Sequence, residues 1–159
     1  MTLFVGRHDN KIDTKGRVSV PKPFRASLRA EGSQKLYAYP LFKYAAIEAC
    51  GEDFMARLSI SLDDLDMFSD EQDDLAAIIL ENAHALNFDP EGRIMLPKEL
   101  IEHTGISGRV TFVGRGARFQ IWEPQAYQAK RSIAFERARA RGATLKLRLN
   151  EVEQESDAV

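Results

Sequence analysis

Apolar residues stand at every second position at two matching places in the chain. They are Val18 and Val20 in Arg17-Val18-Ser19-Val20, and Ile94 and Leu96 in Arg93-Ile94-Met95-Leu96, where Met95 replaces the polar Ser19 between them. That is the period of a strand with one buried face. Each run passes into Pro-Lys, at Pro21-Lys22 and Pro97-Lys98. Proline cannot donate to a strand ladder but suits the first turn of a helix. Helices are therefore predicted over Lys22–Leu28 and Lys98–His103, ended by Gly32 and Gly105. Shorter runs complete both halves. Strands are predicted upstream at Lys11–Ile12 and Leu86–Phe88, and downstream at Lys35–Tyr39, Ala45–Glu48, Gly108–Val113 and Arg118–Glu123. Further helices are predicted at Asp53–Leu58 and Gln125–Ala140.

The two halves are copies. Asp13-Thr14-Lys15-Gly16-Arg17-Val18-Ser19-Val20-Pro21-Lys22 returns, 76 positions on, as Asp89-Pro90-Glu91-Gly92-Arg93-Ile94-Met95-Leu96-Pro97-Lys98. Asp, Gly, Arg, two alternating apolar positions, Pro and Lys match in place. In D-x-x-G the Asp side chain can accept from backbone N–H groups two residues on, and Gly allows a left-handed turn. Each copy reads as β-β-α-β-β. A unit of about 45 residues is too small to bury a full core, so two units are expected to pack on each other with pseudo-two-fold symmetry.

Between the copies, Ser61 and Ser69 both look like helix starts followed by acidic first turns. Leu75, Ile78, Ile79 and Asn82 share one helical face. The expected organisation is repeat one at 7–51, an acidic helical connector at 52–81, repeat two at 82–125, a basic C-terminal helix at 126–150, and a disordered acidic tail at 151–159. The fold class expected is α+β, barrel-like, with connector and C-terminal helices added.

Charge changes the picture. The net charge of −2, from 22 basic and 24 acidic residues, argues against a dedicated polycation. The distribution argues otherwise: residues 1–35 carry +5, 36–91 carry −11, 92–150 carry +8 and 151–159 carry −4. A basic face binds polyanions whatever the total. Hydrophobic residues at 44% and charged ones at 29% fit a soluble globular protein. No run approaches the roughly 20 apolar residues of a membrane span. The N-terminus lacks the apolar core of a signal peptide. One cysteine, Cys50, excludes a disulfide framework, and His8, His84 and His103 are far apart. The acidic residues lack metal-ligand spacing. No metal, cofactor, small-molecule substrate or catalytic role is therefore expected, and a cytoplasmic location is.

At D-x-x-G-R-[VI]-x-[VL]-P the chain resembles the AbrB-type (SpoVT-AbrB) swapped-hairpin DNA-binding domains. Two copies in one chain, with Phe112-Val113-Gly114-Arg115-Gly116 and Phe119-Gln120-Ile121-Trp122-Glu123 downstream, resemble the MraZ family. The resemblance covers about residues 3–140. It implies a bacterial, nucleoid-associated transcriptional regulator of the division and cell-wall gene cluster. Such a protein assembles into a homo-oligomeric ring and binds short direct repeats in promoter double-stranded DNA. Carried over residue by residue, the first turn supplies Asp13, Lys15, Gly16 and Arg17, with Arg17 as the leading DNA contact. In the second turn Arg93 matches Arg17, but Glu91 stands where Lys15 stands, and an acid repels phosphate.

The residues have plainer readings too. Asp13–Arg17 and Asp89–Arg93 can each be a pair that closes its own turn. That reading is preferred for Arg93, with Asp89 and Gly92. For Arg17, DNA contact is preferred, with Lys15, Lys11 and Arg7 on the same ribbon. Lys11, Lys15 and Lys22 suit phosphates. Arg25 and Arg29 suit phosphate or plain solvation equally. The run Lys130, Arg131, Arg137, Arg139, Arg141 suits either nucleic acid or the acidic connector of a neighbouring subunit. Trp122 is expected in a core or interface, and Cys50 as a small buried residue. The rival to a DNA regulator is an antitoxin-like protein-binding module. An enzyme comes third.

Overall fold

The computed structural model describes residues 2–149. The expected disordered tail at 151–159 lies outside the described residues. Two compact units are distinguished, one up to Tyr127 and one from Gln128.

Among the described residues the first unit holds eight strands: β1 (Arg7–Lys11), β2 (Arg17–Ser19), β3 (Lys35–Pro40), β4 (Ile47–Cys50), β5 (His84–Asn87), β6 (Arg93–Met95), β7 (Arg109–Gly114) and β8 (Phe119–Trp122). Helix α1 (Lys22–Ala30) follows β2, and α4 (Lys98–Thr104) follows β6. Between β4 and β5 run α2 (Glu52–Asp63) and α3 (Asp70–Ala76), the latter widening into a π turn at Ala77–Glu81. Helix α5 (Pro124–Arg141) begins in the first unit and supplies most of the regular structure of the second.

All pairings are antiparallel. One sheet has the order β1-β7-β8-β4-β3-β5, and β2 pairs with β6 alone. The copies exchange strands: β1 of repeat one lies on β7 of repeat two, and β5 of repeat two on β3 of repeat one. The register makes the symmetry explicit. Ile47 faces Ile121, Glu48 faces Gln120 and Ala49 faces Phe119, so the pseudo-two-fold axis passes through Glu48–Gln120. In the ribbon, Arg17 faces Met95, Val18 faces Ile94 and Ser19 faces Arg93, so the axis emerges at Val18–Ile94. The fold is α+β, but the six-stranded sheet is open and no closed barrel forms.

Alternation decides the core. Val18, Val20, Ile94 and Leu96 are buried, as their period of two requires. They cover one sheet face together with Phe24 and Leu28 of α1 and Leu100 of α4. Phe24 is the centrepiece: its ring meets Phe4 edge-on at 5.3 Å and Phe119 at 4.9 Å. Trp122 belongs to a second cluster on the other side, with Ala46, Val113 and Tyr127. Cys50 is buried, and burial pushes its thiol up to about 12, away from nucleophilic use.

Two expectations are corrected. Ser61 does not start a helix. Gly51 and the acidic Glu52-Asp53 start α2 earlier, and Ser61 lies in its last turn, beside the buried Leu62. Ser69 does cap α3, its hydroxyl accepting from Gln72 N–H at 3.1 Å. The strand placed at Ala45–Glu48 is shifted to Ile47–Cys50, because Leu41 N–H donates to Ala46 C=O at 2.9 Å and closes the loop there.

Candidate nucleic-acid interface

The two hairpin tips are built alike. At the first, Asp13 Oδ1 accepts from Lys15 N–H at 3.0 Å and Arg17 N–H at 2.8 Å, and Oδ2 accepts from Arg17 Nε at 2.7 Å. Gly16 N–H donates to Asp13 C=O at 3.0 Å, and Gly16 takes φ +88°. This is a type I turn closed by a left-handed glycine, a favoured three-residue hairpin loop. A Cβ on Gly16 would also stand 2.9 Å from the Leu96 carbonyl oxygen. At the second tip, Asp89 accepts from Glu91 N–H and Arg93 N–H, both at 2.9 Å, and from Arg93 Nε at 2.7 Å. The backbone N–H of Arg17, foremost, and then its guanidinium hold the Asp13 carboxyl below the usual aspartate range; Arg93 does the same for Asp89. Arg93 is raised in turn, first by its bond to Asp89.

The ribbon brings the two arginines together. Val18 and Ile94 point into the core, so Arg17, Ser19, Arg93 and Met95 share the outward face. Arg17 and Arg93 are diagonal neighbours there, and such pairs lie about 7–8 Å apart. Each arginine is tied through Nε to its own aspartate. Exposure is similar, 37% for the Arg17 side chain and 31% for Arg93.

Lys15 sits exposed at the first tip, next to Arg17. Lys11 and Arg7 lie on β1, the strand that leads into this tip. They occupy the two ends of β1, about 13 Å apart at strand rise, with Asp9 between them. Asp9 accepts from Thr111 Oγ1 at 2.6 Å, which places this side of β1 on the sheet face away from the main core. Arg25 is tied down: its Nε donates to Val20 C=O at 3.0 Å, and its guanidinium fills the place where a Cβ on Gly92 would stand. Arg29 stays exposed.

A family model described as "MraZ protein, putative antitoxin-like" matches residues 79–146. The chain is 46% identical over 142 residues to the transcriptional regulator MraZ of Gluconacetobacter diazotrophicus, covering 87% of this chain and 90% of that one. It is 48% identical over 130 residues to the transcriptional regulator MraZ of Parvibaculum lavamentivorans, covering 81% of each. With the transcriptional regulator MraZ of Pelagibacter ubique, identity is 42% over 144 residues, covering 91% and 93%. The chain belongs to the MraZ family.

In this MraZ-family chain the two tips differ in chemistry although their backbones match. Glu91 Oε2 lies 3.4 Å from Arg93 Nη2, so the second arginine is partly occupied at its outer edge. Arg17 has only Asp13 as a side-chain partner among the described residues. A further polar cluster escaped the sequence reading. Buried Glu48 accepts from Tyr39 Oη at 2.6 Å, Arg118 Nε at 3.0 Å and Gln120 Nε2 at 3.4 Å, and Trp122 Nε1 donates to Gln120 at 2.9 Å. Burial and the Glu48 charge push the Tyr39 hydroxyl up, so it stays a donor. The one signal was an acid inside the apolar run Ala45-Ala46-Ile47-Glu48-Ala49-Cys50. This cluster joins the repeats at the pseudo-axis. Among the described residues no group of three His, Cys, Asp or Glu could hold a metal ion, and no helix is long and apolar enough to cross a membrane.

Proposed function

We propose that this protein is a sequence-specific DNA-binding transcriptional regulator that presents the Arg17–Lys15 tip, in several copies, to direct repeats in promoter DNA. The carrying observation is Arg17. Asp13 fixes its Nε, and its outer edge is uncommitted on a solvent face. An arginine so oriented can bond guanine O6 and N7 in the major groove. Lys15 beside it suits a phosphate, and Lys11 and Arg7 extend positive charge along β1. The naming of its relatives as transcriptional regulators supports the same reading. A few basic contacts per subunit give weak binding; a closed ring on tandem sites multiplies them by avidity. The sites are expected upstream of the division and cell-wall gene cluster, and the protein in the cytoplasm at the nucleoid. It acts by binding, without catalysing a reaction.

The test is a mobility shift on that upstream DNA with a scrambled control. Arg17→Ala should lose specific binding, since each base contact is worth roughly ten- to a hundredfold and the loss repeats at every subunit. The oligomer should survive. Unchanged affinity for the repeats would refute the assignment of Arg17.

A further inference from the structure

The chain carries two surfaces of opposite charge, each with large apolar side chains in solvent. One is the connector. From Glu52 to Glu81 ten acidic side chains stand against a single base, Arg57, for a net −9. Ile60, Met67 and Phe68 are exposed on it, Phe68 at 91%. The other is the unit from Gln128 onward. Over residues 128–149 seven basic side chains stand against Glu136 alone, for a net +6. Ile133, Phe135 and Leu147 are exposed there, Leu147 at 89%. Helix α5 has 18 residues and buries none of them fully. Most helical stability in proteins comes from packing a face against a partner, and α5 has no fully buried face.

Nucleic acid would satisfy the arginines of this unit but not its Ile, Phe and Leu side chains, and it would leave the connector uncovered. A second copy answers both. Acidic surface meets basic surface, and exposed apolar side chains meet their like, the composition of an interface with a polar rim. We propose that the basic C-terminal unit of one copy docks on the acidic α2–α3 connector of the next. Donor and acceptor are different patches, so the contact is head-to-tail and repeats until the rotation closes. The inference rests on the ring reading and says which surfaces make the ring.

Charge reversal tests it on the full chain. One variant carries Asp63→Lys, Asp64→Lys, Glu71→Lys, Asp73→Lys, Asp74→Lys and Glu81→Lys; the other carries Arg137→Glu, Arg139→Glu, Arg141→Glu, Lys146→Glu and Arg148→Glu. These changes turn the connector net basic and the C-terminal unit net acidic, and all the positions are exposed. Each variant alone should sediment as a smaller species than wild type, with an unchanged circular dichroism spectrum. An equimolar mixture should regain the wild-type mass, because every interface in an alternating ring is again complementary. A third variant, Phe68→Ser with Leu147→Ser, changes only exposed side chains and should also lower the mass. Wild-type mass in either reversed variant alone, or in the serine variant, overturns the contact. So does a mixture of folded variants that stays small, since the docking would then lie within one chain. Loss of DNA affinity at unchanged mass in the Glu variant overturns it too and assigns the helix to nucleic acid. A wild-type protein that is itself monomeric refutes the ring reading as well, which separates the two failures.

Discussion

Asp13 and Asp89 act as splints. Each fixes the turn backbone and one guanidinium nitrogen, so the arginine side chain is ordered before any ligand arrives. Their carboxyl groups titrate below the usual 3.8, chiefly through the N–H of Arg17 and Arg93. A depressed carboxylate contributes stability above its unfolded value and loses it as pH falls through the folded one. These two groups therefore leave stability flat between about pH 5 and 8 and weaken the fold only below roughly pH 4. A melting series down to pH 3 should show this, with the acid-side loss reduced in Asp89→Asn. Arg93→Ala separates structure from recognition. Because Glu91 already occupies Arg93, the variant should melt earlier than wild type while shifting promoter DNA almost normally. A normal melt with lost binding would place Arg93 in the DNA contact instead.

At the level of elements, the β2–β6 ribbon is the joint between repeats. Ile94 is 1% exposed and faces Val18 on the pseudo-axis. Ile94→Ala should cost about 2–5 kcal/mol, and urea unfolding should remain one transition because neither repeat has a core of its own. Two transitions would mean that the repeats fold separately. Most of this architecture was legible in the sequence. The 76-residue offset, the alternation of Val18, Val20, Ile94 and Leu96, and the Pro-Lys helix starts each express a local rule. The two turns were legible for the same reason, since D-x-x-G-R holds its own hydrogen bonds. What the local patterns could not supply was non-local. The exchange of β1 and β5 between repeats depends on which strands meet; no local period encodes that, and only the resemblance to swapped-hairpin domains implied it. The Glu48 cluster needs partners up to 72 residues away, so its acid looked out of place in an apolar strand.

Across the whole molecule, charge is partitioned, and the near-zero total limits indiscriminate attraction to DNA. Specific binding should weaken steeply with salt, log affinity falling linearly with log salt at a slope near −0.9 per neutralised phosphate. Fluorescence anisotropy on promoter DNA from 50 to 200 mM salt checks this at roughly tenfold or more. A flat response would mean that phosphates carry little of the binding. The exchanged strands have a consequence at the ribosome. Asp9 bonds Thr111, 102 positions later. At synthesis rates of about 5–20 residues per second, β1 waits about 5–20 s for its partner strand. During that interval Phe4 and Phe24 have no Phe119 to close on. The burden on chaperones therefore falls on the nascent chain, and the first repeat can neither be released early nor transplanted alone as a working module.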